Sequence, residues 1–267
     1  MKHLLLTITY DGAGFHGWQR QPGQRTVQGE LERVLSILCK EEITIAGASR
    51  TDAGVHAYGQ RAGFSGDFGI PVEKLALAAN RLMDKDVRIL EVLEVSEGFH
   101  PRFDATGKTY IYKIRNSREP DVMMRNFHYH VEKPLNLTAM QEAATYLVGE
   151  QDFRSFLAAG GKEPETTVRR ITSAECYLDE SCVPRGTDTE QNVVFEVTGS
   201  GFLYNMVRII TGTLVEIGLG KRSPADMKMI IDGRDRRRAG HTAPPQGLYL
   251  KEVYYKGENT DENSGPL

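Results

Sequence analysis

The sequence predicts an α+β protein of two pseudo-symmetric lobes, each a mostly antiparallel sheet covered by helices. Three observations carry this reading. A strand–helix–strand–helix–strand order occurs on both sides of Phe99–Phe103. At 267 residues the chain is long enough for two modest domains. Its first helical segment shows one apolar face, which must be buried against a neighbouring layer. The expected division is 1–102 for the first lobe, 103–257 for the second and 258–267 for a polar, disordered tail. A cleft between the lobes is where a large ligand would sit, since loop residues of both can meet there.

In the first lobe, residues 3–10 alternate between apolar and polar and read as a strand. Thr26 then caps a helix to Lys40, with Val27, Leu31, Val34, Leu35 and Leu38 on one face. A short strand is expected at 43–46, a loop from Gly47 to Gly54 and a strand through Phe64. Pro71 opens a second helix reaching Met83, and Val87–Val95 is the last strand of this half.

In the second lobe, strand 104–116 is followed by a helix from Thr138 to Val148. Strands at 168–179 and 191–199 come next, then a helix over 203–218. Ser223 and Pro224 read as the cap and first position of a helix ending at Gly233. A strand at 247–255 closes the fold.

Composition bounds the function. Hydrophobic residues make up 40% and charged residues 26%, ordinary for a globular domain. No apolar run approaches the roughly 18 residues of a membrane span. The apolar stretch at the start turns polar too soon for a signal peptide. The three cysteines, Cys39, Cys176 and Cys182, show neither a disulfide framework nor zinc spacing, which points to a reducing, cytoplasmic setting. The net charge of −3 argues against a uniformly basic nucleic-acid binder. Cations nonetheless cluster at Arg234, Arg236, Arg237 and Arg238, at Lys221 and Arg222, and around a glutamine-rich loop at Arg20 and Arg25.

Candidate chemistry centres on residues 47–60, GASRTDAGVHAYGQ. Asp52 lies between a cation, Arg50, and a chain-reversing glycine, Gly54. A carboxylate beside a positive charge stays ionised and can serve as nucleophile, general base or metal ligand. The seven histidines are scattered, and only His128 and His130 are close, both on an expected strand. They lack a carboxylate or cysteine at ligand spacing, so no metal site is expected. The glycine-rich loop at 11–17 lacks a full dinucleotide fingerprint. It runs into Trp18, Gln19, Arg20 and Gln21, where an exposed aromatic between amides and a cation suits RNA stacking, and a buried tryptophan on a hairpin loop is the equal alternative.

Tyr110, Tyr112 and Ile114 alternate onto one strand face, a pattern more typical of core than of a site. Should that face border the cleft, a tyrosine there can stack on a base and exchange a proton. Arg208 sits among apolar residues of the helix 203–218 and needs a partner there. Asp52 fits that need, and snorkelling to the surface is the alternative.

The stretch Arg50-Thr51-Asp52-Ala53-Gly54-Val55-His56-Ala57 closely resembles the catalytic loop of the TruA family of tRNA pseudouridine synthases. Further segments resemble that family in the same order. They are Tyr10-Asp11-Gly12 with Gly17-Trp18-Gln19-x-Gln21, Thr26-Val27-Gln28 and Lys108-Thr109-Tyr110-x-Tyr112. Asp152-Phe153-x-Ser155-Phe156, Thr167-Val168-Arg169, the run from Gly201 to Arg208 and Thr242-Ala243-Pro244-Pro245-x-Gly247-Leu248 follow. The chain departs from the pattern at Ser49, where glycine is common, and at Arg61, Gly63 and His241. These departures leave the catalytic positions intact and raise the alternative of a paralogue with a different RNA target.

The resemblance implies a cofactor-free isomerase that converts uridine to pseudouridine in the anticodon stem-loop of tRNA. It implies a central RNA-binding cleft and a homodimer with one tRNA spanning both protomers, so that a local basic groove suffices. Asp52 would act as nucleophile or as base at the sugar, Arg208 would pair with it, and Tyr110 would stack on the flipped base. Arg50, Gln19 and Arg20 would contact the substrate, with Lys221 and Arg236 on the phosphates. Two rivals stand beside this: a non-catalytic tRNA-binding or folding module with Asp52 as a mere turn residue, and a hydrolase pairing Asp52 with Asp104.

Overall fold

The computed structural model describes residues 1–161, 163–179 and 190–257. The expected tail at 258–267 and Cys182 lie outside these residues. Within them the chain forms ten strands and five α-helices.

Strand β1 (Lys2–Tyr10) leads through the glycine loop to α1 (Val27–Cys39). Thr26 has extended backbone, and its hydroxyl accepts the Gly29 N–H, satisfying a donor at the helix start. Strand β2 is only Ala46–Gly47 and pairs with β3 (His56–Gly66). The strand expected at 43–46 is therefore displaced and shortened, for a local reason. Side chains of α1 take the backbone groups a strand partner would use: Gln28 Nε2 donates to Ile45 O, Glu32 accepts Ile45 N–H and Ser36 accepts Ile43 N–H. Helix α2 (Val72–Leu82) and β4 (Val87–Glu94) complete this half.

The second half holds β5 (Ala105–Asn116), β6 (Tyr129–Val131), α3 (Leu137–Thr145) and β7 (Gly149–Asp152). It continues with β8 (Val168–Leu178), β9 (Gln191–Gly199), α4 (Met206–Gly218), α5 (Asp226–Gly233) and β10 (Leu248–Tyr255). His128 falls just before β6, so only His130 of the close pair is in a strand. Helix α3 ends early because Tyr146, Leu147 and Val148 bond three residues back, tightening the last turn. Helix α4 begins at Met206 rather than 203, since Asn205 adopts a left-handed backbone with φ 59°. Helix α5 starts after a tight turn in which Asp226 N–H bonds Ser223 O and Asp226 Oδ2 accepts the Ser223 N–H. The expected cap at Ser223 is thus displaced. Strand β7 carries no apolar alternation and is held by its pairing with β8.

All strands join one sheet in the order β4-β1-β3-β10-β5-β9-β8-β7, with β2 beside β3 and β6 beside β5. Pairing is antiparallel except for β10 with β3 and β5 with β6. Strand β10 is the seam: it pairs with β3 through Tyr249 and Leu250 and with β5 along most of its length. Helices pack over both halves of the sheet, and one apolar core runs through Leu4, Leu6, Leu31, Tyr112, Phe153, Phe195 and Ile210. Ile111, Val194 and Tyr249 form a small separate cluster. No helix among the described residues is long and apolar enough to cross a membrane.

Candidate active site

The seam gathers the residues that the sequence singled out. The Asp52 loop leaves β2 and enters β3 through a turn in which Val55 N–H bonds Asp52 O, with Gly54 at φ 78°. The 11–17 loop braces this turn. Gly12 lies so close that a Cβ there would meet Val55 O at 2.0 Å. Trp18 is 2% exposed and its backbone N–H bonds Thr51 O, so it is a core residue beneath the loop rather than a stacking platform for RNA.

Arg208 stands in the first turn of α4 and reaches back over the seam. Its Nη1 is 2.9 Å from Asp52 Oδ2 and 2.6 Å from Asn205 Oδ1, and Nε donates to Ala243 O at 2.8 Å. Asn205 thereby leaves the helix end uncapped and holds the guanidinium instead. The side chains of Arg208 and Asp52 are 15% and 29% exposed, so the pair is shielded yet open on the carboxylate side. Snorkelling to the surface is not what Arg208 does.

Tyr110 lies on β5 with Tyr112 and Ile114 on the same face. The latter two are core residues, and Tyr112 donates to Pro244 O at 2.6 Å. Tyr110 is 7% exposed, shares a hydrogen bond of 2.8 Å with Ser49 Oγ and meets Phe202 edge-on at 5.1 Å. Burial pushes its phenol up to about 12, so it is neutral at physiological pH. Lys108, two residues earlier, donates from Nζ to Ala48 O at 2.6 Å. Burial pulls its ammonium down to about 8.

The other expected contacts lie outside this cluster of bonds. Arg50 is exposed, and among the described residues no hydrogen bond or ion pair engages its guanidinium. Gln19 and Arg20 are exposed, Arg20 pairing with Glu32 at 3.3 Å. Arg236 turns inward instead, donating to Gly240 O at 2.9 Å and Thr242 Oγ1 at 3.2 Å. Asp104 accepts the His100 N–H at 2.7 Å and closes its own turn. The unusual residues have local partners too: Arg61 bonds Thr7, Gly63 lies under Pro101, and His241 bonds Tyr129 and Glu216.

Sequence reasoning gave no role to Ser49, Gln60, Lys108 or Asn205. Two signals point to them: Lys108 shares the strand period of Tyr110, and Asn205 precedes Arg208 by one helical turn. Gln60 carries no such signal. Its amide contacts Ser49 backbone from across the β3 strand.

Residues 6–104 and 143–256 match the model of a family described as tRNA pseudouridine synthase. Proteins named tRNA pseudouridine synthase A are similar over nearly the whole chain. That of Ruminiclostridium cellulolyticum is 47% identical over 255 residues, covering 96% of this chain and 100% of its own. That of Acetivibrio thermocellus is 45% identical with the same coverage, and that of Bacillus subtilis 44% identical over 94% of this chain and 98% of its own. With likeness of that extent running through both halves and across the seam, the chain belongs to the tRNA pseudouridine synthase family.

Proposed function

We propose that this chain isomerises uridine to pseudouridine in the anticodon stem-loop of tRNA, acting in the cytoplasm as a homodimer. The observation that carries the chemistry is the 2.9 Å pair of Asp52 with Arg208 beside a buried, neutral Tyr110. The reaction breaks the bond between C1′ and N1, turns the base and joins C1′ to C5. The C5 proton is lost and N1 gains one, so atoms balance without a cofactor.

Asp52, held by Arg208, acts as nucleophile or as base at the sugar. The guanidinium aims it, and the approach of Arg208 from one side leaves the other carboxylate oxygen for the substrate. Tyr110 packs against the flipped base, whose removal from the stack costs about a few kcal/mol. The exposed Arg50, Gln19 and Arg20 contact the RNA around it, and Lys221, beyond the far end of α4, meets the phosphates further along.

Tritium release from tRNA labelled at uridine C5 tests this. A synthase releases tritium and leaves the chain whole, whereas a hydrolase leaves abasic sites and a binding module does neither. Release at the wild-type rate by Asp52→Asn would remove Asp52 from the chemistry.

A further inference from the structure

The segment before Asp52 is gripped by side chains from three strands. Gln60 on β3 holds Ser49 twice, accepting its N–H at 3.2 Å and donating to its carbonyl at 2.8 Å. Lys108 on β5 donates to Ala48 O at 2.6 Å, and the Tyr10 hydroxyl on β1 meets Thr51 Oγ1 at 2.7 Å. The backbone on both sides of Ser49 is therefore fixed without help from its own side chain. That side chain reaches across to the other half of the seam, where Ser49 Oγ and the Tyr110 hydroxyl are 2.8 Å apart. Among the described residues Ser49 is the sole hydrogen-bond partner of that hydroxyl.

A phenol hydroxyl rotates between two in-plane settings, and a buried one without a partner loses a bond it cannot replace with water. The charge of Asp52 is felt at Tyr110, where it adds to burial in holding the phenol proton on. We infer that Ser49 is a positioning residue for the isomerisation: its hydroxyl sets the Tyr110 phenol against the Asp52 loop. This rests on the functional reading above, since Ser49 acts through Tyr110 and not on the substrate.

The test is a double-mutant cycle in single-turnover tritium release, with tRNA affinity measured alongside. Ser49→Ala slows release about three- to tenfold, the scale of one lost hydrogen bond, and leaves affinity within about twofold. Ser49→Thr, which keeps the hydroxyl, returns most of the rate. In a Tyr110→Phe background Ser49→Ala adds less than about a twofold loss, because the partner is already gone. Ser49→Gly serves as a second hydroxyl deletion if the alanine variant folds poorly. A Ser49→Ala rate equal to wild type, or an equal loss in both backgrounds, overturns the inference and leaves the synthase reading standing. A wild-type chain that releases no tritium overturns that reading, and the inference with it. Fluorine NMR of 3-fluorotyrosine at Tyr110 checks the bond apart from activity: a resonance unmoved by Ser49→Ala also overturns it.

Discussion

Asp52 and Arg208 are 156 positions apart in the chain and meet at 2.9 Å. The contact links the loop between β2 and β3 to the first turn of α4, so it joins the two halves at the point where chemistry is proposed. Arg208 is itself held by Asn205 and Ala243. The charge pair is thus a fixed feature of the seam rather than a chance surface contact.

Replacing Asp52 by asparagine keeps the shape and removes the charge. Tritium release is expected to fall by about three orders of magnitude or more, with thermal stability and tRNA affinity close to wild type. Single-turnover release and a filter-binding titration check both halves of the claim.

Arg208→Ala leaves Asp52 and Asn205 without their shared donor. Turnover is expected to fall about 100- to 1,000-fold with only a modest loss of tRNA affinity. Arg208→Lys should restore little, because one ammonium cannot reproduce a planar fork that serves Ala243 O and Asp52 together. Affinity collapse with normal turnover would contradict this.

Tyr110→Phe is expected to keep RNA binding and slow the chemical step about a hundredfold, as for loss of a proton-transferring group. The phenol titrates at about 12 in the fold and near 10 when unfolded. Its contribution to stability is therefore complete below pH 10 and is lost as pH rises from about 10 to 12. Alkaline melts of the wild type and Tyr110→Phe, compared pairwise, read that window.

Lys108 has the opposite sign. Its folded value of about 8 lies below the unfolded value of 10.5, so the unfolded chain binds more protons between them. Stability of the wild type should gain on that of Lys108→Met as pH rises from 8 to 10.5. A melting-temperature difference that stays flat over this range would refute it.

Arg50→Ala tests the RNA surface. A phosphate contact predicts weaker tRNA binding and a salt slope reduced by about 1, with the catalytic rate at saturation little changed. An unchanged slope would place Arg50 off the phosphate path.

Much of this fold is legible in the sequence because apolar spacing records which face is buried. Val27, Leu31, Val34 and Leu35 mark α1, and each is fully buried. The displaced 43–46 strand shows the limit: Ile43 and Ile45 have strand-like side chains, but α1 supplies the hydrogen bonds, and pairing by side chains leaves no periodic trace. Strand β7 is invisible for the same reason, since its pairing with β8 and not its own pattern makes it a strand. In the site, Arg208 is legible because a cation among apolar residues demands a partner. Trp18 is ambiguous because exposure and burial suit an aromatic beside glycines equally well. Ser49 stands out only as a departure from the family pattern and its role is silent, since a hydroxyl's partner sixty-one positions away leaves no mark on its neighbours.

The seam strand also sets a timetable for synthesis. Strand β10 follows every other described strand in the chain, yet it occupies a middle place between β3 and β5. A ribosome can release β1, β3 and β4 as a partial sheet early, and β5, β8 and β9 as another, but each waits with an open edge until the final segment emerges. Asp52 and Tyr110 are therefore brought into register only as translation finishes, so a stalled or prematurely terminated product lacks the joined seam and is prone to pairing its exposed edges with other chains.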